Sequence, residues 1–88
     1  MATLHWLAFP PERQELTAAV VAMLDKEDAV VFVDAGLAFL HHQRGVTPFN
    51  AAKFYYLGAP GLHDAKAITQ TELAALTLHY HNTITWYP

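Results

Sequence analysis

The feature of this sequence that most limits its fold is the apolar run at residues 29–33, which is followed at once by Asp34, Ala35 and Gly36. The run is rich in β-branched and aromatic residues without helical spacing, which is typical of a strand buried on both faces of a parallel sheet. An acid, a small residue and a glycine favour a tight turn from a strand into a helix. In open α/β sheets such turns lie at the carboxyl ends of strands, where ligands bind. We therefore expect a central strand that ends at a turn containing Asp34 and Gly36.

Strands and helices alternate along the rest of the chain. Runs of β-branched and aromatic residues predict strands, and apolar residues at helical spacing predict helices. Thr69 and Glu72 have the spacing of a capping box, which marks the start of a helix. The predicted strands are residues 3–9, 29–33, 53–57, 66–70 and 83–87, and the predicted helices run from Pro11 to Leu24, from Leu37 to a glycine cap near Gly45, and over 71–80.

This alternation predicts a single α/β domain over residues 1–88, with a mostly parallel sheet of about five strands and helices on both faces, in three layers. The chain is short, and 53% of its residues are hydrophobic while 15% are charged. A domain of this size buries only about 60–65% of the surface that its unfolded chain exposes. We therefore expect more apolar surface than one small core can hide, with oligomerisation as the simplest outlet.

Charge and hydropathy argue against two classes of partner. The five basic residues are scattered singly and the formal net charge is −3, whereas a nucleic-acid surface needs clustered Lys or Arg. No apolar run approaches the roughly 18–20 residues of a membrane span, and the start of the chain lacks the pattern of a signal peptide. The sequence thus predicts no direct contact with nucleic acid, no membrane association and a cytoplasmic location.

The sequence contains no cysteine. A chain without cysteine forms no disulfide, offers no thiolate to a metal, has no thiol nucleophile and carries no persulfide. Of all the compositional facts, this one restricts the chemistry of the chain most.

The histidines and acids suggest no catalytic or metal site. The six histidines lack a metal-binding spacing such as HExxH, which favours surface and helix-end positions. Asp34 could act as a general base, but an acid after a strand more often caps the next helix, here by accepting the N–H of Gly36 or Leu37. Residues 58–61 are a turn signal without the spacing of a phosphate loop. We expect no catalytic residue, no metal and no cofactor.

Adjacent aromatic residues in two predicted strands leave two interpretations open. Tyr55 and Tyr56 must point to opposite faces of the sheet, and so must Trp86 and Tyr87. One interpretation places these residues in a subunit interface, where Tyr and Trp are enriched, and the other buries them under the helices of this chain. The same two interpretations apply to Phe39 and Phe49.

Several short motifs, taken together, resemble one family. The residues 4–7, Leu-His-Trp-Leu, followed by Pro11, resemble the opening of TusB (DsrH-like) sulfur-relay proteins. The strand at 29–36 with its acid and glycine, and residues 71–78 followed by Trp86, are similar to the central strand and to the end of these proteins. The likeness covers nearly the whole chain in matching order, although residues 58–67 are too few for the family's third helix.

The resemblance implies a DsrE/F/H-like subunit in a complex of three related chains, each in two copies. Such complexes relay persulfide sulfur, toward 2-thiouridine in tRNA or in sulfur oxidation, and the sulfur is carried by a cysteine of the DsrE/TusD-like partner. The chain is then a non-catalytic structural subunit, not an enzyme, whose partners are DsrE/TusD-like and DsrF/TusC-like sister subunits. Its expected interface or turn residues are Asp34, Gly36, Phe39, Tyr55, Tyr56 and Trp86.

An alternative that needs no sister subunit is a homo-oligomer that binds a small ligand. The ligand would lie at the carboxyl end of the sheet, near Asp34 and Gly36.

Overall fold

Five parallel strands form one sheet in the computed structural model, which describes residues 2–41, 48–59 and 65–88. The strands are β1 (Thr3–Leu7), β2 (Ala29–Phe32), β3 (Lys53–Leu57), β4 (Lys66–Ile68) and β5 (Asn82–Trp86). The helices are α1 (Gln14–Met23) and α2 (Gln70–His79), with a 3₁₀ helix at Asp34–His41. The spatial order is β4-β3-β2-β1-β5, and every neighbouring pair is parallel, which confirms the predicted α/β fold class.

The predicted central strand lies in the middle of the sheet. All four residues of β2 are buried, and β2 pairs with β1 on one side and with β3 on the other. Val30 and Phe32 point to one face, whereas Ala29 and Val31 point to the other. Burial on both faces explains why this stretch reads as an unbroken apolar run.

Helices cover both faces of the sheet, as the strand order requires. The chain steps from β1 through β2 and β3 to β4 in one direction and then returns to β5 beside β1. Because parallel crossovers share one hand, the returning connection must lie on the opposite face. Leu16 and Val20 of α1 and Phe39 of the 3₁₀ helix accordingly pack on one face, and Leu73 and Leu76 of α2 on the other.

The first strand and the first helix are shorter than predicted. β1 ends at Leu7, although Phe9 is fully buried, and α1 begins at Gln14. Proline disfavours helical backbone in the residue before it, which keeps Phe9 and Pro10 out of the helix. Arg13 instead donates its N–H to the Pro10 carbonyl in a turn, and its side chain caps nothing.

The end of the chain follows the prediction within one or two residues. Thr69 Oγ1 accepts the N–H of Glu72, and the Glu72 carboxylate accepts the N–H of Thr69, so the predicted capping box is present. Because Thr69 caps α2, β4 stops at Ile68 rather than at residue 70. The predicted cap at Gly45 and the turn residues Pro60 and Gly61 lie outside the described residues.

Both α-helices of the described chain have ten residues. At a rise of about 1.5 Å per residue, neither they nor the 3₁₀ helix has the length to cross a bilayer.

Candidate functional site

The turn after β2 has an unusual backbone conformation. Asp34 has a φ of 50°, the one positive φ among the described non-glycine residues, and its side chain is exposed at the carboxyl end of the central strand. Asp and Asn tolerate this left-handed region better than other residues, which explains an acid here. The 3₁₀ helix begins at Asp34 itself, earlier than the helix predicted from Leu37.

Asp34 does not form the predicted helix cap. The N–H of Gly36 donates to the carbonyl of Val33 at 2.8 Å, so a backbone bond takes the place expected for the carboxylate. Within residues 2–41, 48–59 and 65–88 the Asp34 carboxylate accepts no hydrogen bond. The group therefore faces solvent with its acceptor sites available to a ligand or partner.

Gly36 is explained by packing within the chain. A Cβ at this position would overlap the carbonyl oxygen of Leu7 and lie 2.8 Å from its carbonyl carbon. That close approach lets the 3₁₀ helix sit against the end of β1. The space that a glycine might leave for a ligand is thus filled by the backbone of β1, and the ligand interpretation of Gly36 loses its basis.

Most of the aromatic residues that are candidates for an interface are instead buried under this chain's own helices. Phe39, Phe49, Tyr55 and Tyr56 are all buried, with Tyr55 on the α2 face and Tyr56 on the opposite face. Their rings therefore belong to the core, and the Tyr56 hydroxyl donates to the Ala59 carbonyl at 2.9 Å. Trp86 is half-buried and packs at the edge of the same core.

A buried polar network joins three separate parts of the chain. His5 Nε2 lies 3.0 Å from Oδ2 of Asp28, and the indole N–H of Trp86 lies 3.2 Å from His5 Nδ1. His5 is 1% exposed and Asp28 is 3% exposed, and the imidazole and indole rings stack with centroids 6.4 Å apart. The expectation of surface and helix-end histidines is therefore wrong for His5. The sequence does indicate a buried histidine, because His5 lies inside an apolar strand, but it does not indicate which residue His5 would contact.

The network sets the proton position on His5. An indole nitrogen is a donor only, so Nδ1 of His5 accepts and the ring proton lies on Nε2, which donates to Asp28. Burial by itself raises the pKa of Asp28, but N–H groups of Asp25 and Thr3 and the His5 ring all donate to its carboxylate and hold the pKa below its ordinary value. This arrangement orders the start of β1 and the turn before β2, and its burial keeps it from acting on a substrate.

The remaining described histidines are exposed. His41 and His79 lie in the last turns of their helices, and His81 precedes β5. His42 and His63 lie outside the described residues. No group of three or more His, Asp or Glu side chains is close enough to hold a metal ion within the ranges 2–41, 48–59 and 65–88.

The α2 face carries a shallow cleft and a second indole. The cleft has a volume of about 300 Å³ and is lined by Tyr55, Lys66, Ile68, Glu72, Ala75 and Leu76. Trp6 lies on the same face, and its Nε1 is buried without a hydrogen-bond partner in the described part of the chain. The cleft combines an apolar floor with one cation, Lys66, and one carboxylate, Glu72.

Large apolar side chains remain uncovered on several elements. Leu78 of α2 is 89% exposed, and Tyr87, next to β5, is 69% exposed. Met23 and Val21 of α1 are also exposed. Ala74 and Ala75 are exposed on α2, one turn before Leu78, so these three side chains form an apolar stripe among the exposed polar residues of this helix. A helix with apolar residues on its outer side is typical of a contact with another chain.

Comparisons with protein-family models, with curated proteins and with solved structures give no match for this chain.

Proposed function

We propose that this chain is a non-catalytic structural subunit of a TusB/DsrH-like sulfur-relay complex. In this proposal it binds DsrE/TusD-like and DsrF/TusC-like sister subunits, and the complex transfers persulfide sulfur toward 2-thiouridine in tRNA or in sulfur oxidation. Because the sequence has no cysteine, the sulfur is carried by a sister chain. The site of action is the cytoplasm.

The positions of the motif residues support the resemblance. Residues 4–7 form most of β1, the acid and glycine follow β2 directly, and Trp86 ends β5. The five-stranded parallel sheet with helices on both faces has the architecture that the resemblance implies. His5 of the first motif and Trp86 of the last are hydrogen-bonded to each other, which gives a physical reason for the two to occur in one sequence.

The observation that carries the proposal is the uncovered apolar surface around Leu78. A leucine that is 89% exposed contributes almost no hydrophobic stabilisation to the isolated chain. Burying such a side chain fully against a partner contributes about 1.5–3 kcal/mol to the free energy of association. Exposed apolar residues lie on α1 and α2, which cover opposite faces of the sheet, and also after β5. A subunit that contacts more than one neighbour accounts for that distribution.

Co-purification tests the proposal. The chain is expressed with DsrE-like and DsrF-like proteins encoded in the same genome, with an affinity tag on the DsrE-like protein alone. We expect all three chains to co-elute in gel filtration, and Leu78→Lys to weaken this chain's retention while Glu27→Lys, in an exposed turn, leaves it unchanged. Elution of the chain apart from both proteins would overturn the proposal.

The exposed carboxylate of Asp34 favours a second candidate, a homo-oligomer that binds a small ligand at the carboxyl end of the sheet. Asp34 is held in a rare conformation and its acceptor sites are available, as in many ligand-binding turns. A ligand of this kind would donate hydrogen bonds or carry positive charge. Screening small amines and polyols for a rise in Tm tests this candidate, and a rise that persists in Asp34→Asn would argue against it.

A further inference from the structure

β5 is an edge strand whose outer backbone groups bond to none of the described strands. It pairs in parallel with β1, and no described strand lies on its other side. The Ala8 N–H donates to the Trp86 carbonyl at 3.0 Å, so the backbone groups of Trp86 face β1. Since these groups alternate in direction along a strand, those of Ile84 also face β1, while those of Thr83 and Thr85 point outward.

The outer edge of β5 lacks the features that usually prevent an edge strand from pairing with another chain. Proteins protect edges with charged side chains, prolines, bulges or short strands. β5 has five residues in continuous register with β1, contains no charged residue or proline, and exposes the β-favouring side chains of Thr83 and Thr85. The opposite edge, β4, has three residues and begins with Lys66. The two edges of the sheet therefore differ in their readiness to pair.

We propose that the outer edge of β5 pairs antiparallel with the same edge of a second copy of this chain, about a two-fold axis at Ile84. In this register Thr83 of each copy lies opposite Thr85 of the other, and each pair exchanges two backbone hydrogen bonds. Ile84 lies opposite Ile84 as a closely spaced pair without such bonds. The two sheets join into one sheet of ten strands.

The sequence of the strand favours a second copy over a different partner. A two-fold interface brings the same patch of both subunits together, so the patch must be complementary to itself. Centring on Ile84 pairs all five residues of β5, and it matches threonine with threonine and isoleucine with isoleucine, which are favourable cross-strand pairs. It also places the exposed His81 opposite the exposed Tyr87 of the other copy, so the aromatic ring after the strand gains cover. No charged residue meets a like charge in this arrangement.

Charge complementation tests the pairing on the chain alone. We expect sedimentation equilibrium to give the wild-type chain twice its monomer mass of 9.8 kDa. The double variants Thr83→Lys/Thr85→Lys and Thr83→Glu/Thr85→Glu place like charges opposite each other and should both sediment as monomers. An equimolar mixture of the two places Lys opposite Glu and should recover the dimer, which also shows that each variant is folded.

A matched control separates the edge from the helices. Ala22→Lys/Ala74→Lys adds the same charge at exposed positions of α1 and α2 and should keep the dimer mass. A monomeric wild-type chain, a dimer that persists in both threonine variants, or a mixture that stays monomeric would each overturn the pairing. Because no sister subunit enters this experiment, its outcome is independent of the co-purification that tests the sulfur-relay proposal.

Discussion

The indole N–H of Trp86 donates a hydrogen bond to Nδ1 of His5 over 3.2 Å, although the two residues are 81 positions apart in sequence. With Asp28 on the other ring nitrogen, both polar atoms of the buried imidazole are satisfied. This side-chain hydrogen bond links β5 to β1, in addition to the backbone hydrogen bonds between the two strands.

The two tryptophans of the sheet provide a matched pair of substitutions. Trp86→Phe leaves His5 Nδ1 buried without a donor, which should lower the free energy of unfolding by about 1–3 kcal/mol. Trp6→Phe removes an indole N–H that already lacks a partner in the described chain, so its cost should be clearly smaller. Urea denaturation of both variants checks this, and equal losses would mean that the Trp86 hydrogen bond contributes nothing.

Asp28 should control the acid limit of stability. Because its pKa in the folded chain lies below its ordinary value, the unfolded chain binds its proton first as the pH falls. The stabilisation that the Asp28 carboxylate gives to the folded chain is therefore complete above the pKa of an aspartate in the unfolded chain, about 3.9. It is lost as the pH falls through the lower pKa of Asp28 in the folded chain. Asp28→Asn should be less stable at pH 7 and should lose less stability between pH 5 and pH 2. Unfolding free energies measured across that range would contradict this if both proteins lost stability in parallel.

Gly36 and Gly58 should respond in opposite ways to alanine. At Gly36 the new Cβ meets the backbone of Leu7, so Gly36→Ala should cost about 1–3 kcal/mol or more through overpacking. At Gly58 the nearest atom is a Tyr56 ring carbon at 3.6 Å, an ordinary contact, so Gly58→Ala should be neutral or stabilise by about 0.4–1 kcal/mol. Thermal unfolding of both variants gives the comparison. A Gly36→Ala chain as stable as wild type would exclude the close packing of the 3₁₀ helix on β1.

The positive φ of Asp34 predicts the order of three further variants. Asp34→Asn should leave stability nearly unchanged, since asparagine also tolerates this region, and Asp34→Gly removes the steric cost of a Cβ. Asp34→Val should lower stability by about 1–2 kcal/mol, because a β-branched residue resists this conformation. The same thermal assay ranks them, and a valine variant equal to the asparagine variant would show that the turn adopts another conformation in solution.

Local signals in the sequence were sufficient for much of the fold. The apolar run at β2 and the capping box of Thr69 and Glu72 depend on neighbouring residues alone, and both are present as predicted. The sequence predicts the start of α1 too early, because Pro11 fits a first helical turn, whereas residues 10–13 form a turn closed by the Arg13 N–H and the Pro10 carbonyl. The burial of Tyr55 and Tyr56 depends on which helix covers each face, which alternation alone left open.

Local sequence signals do not predict the polar network of His5, Asp28 and Trp86. His5 and Asp28 are 23 residues apart and their contact exists only because β1 and β2 are neighbours. Asp28 ends a run of four charged residues, 25–28, and nothing nearby in the sequence distinguishes a buried acid from an exposed one. The close approach of Gly36 to the backbone of Leu7 is likewise a contact between distant elements.

The place of β5 in the sheet has a consequence for the order in which the chain can fold as it is synthesised. β1 precedes and β5 follows every other described element, yet the two are neighbours in the sheet. Until residues 82–86 leave the ribosome, one side of β1 has no partner, and His5 lacks the indole that completes its bonding. Until then the growing chain exposes an unpaired strand edge, a feature that makes partly folded chains prone to aggregate.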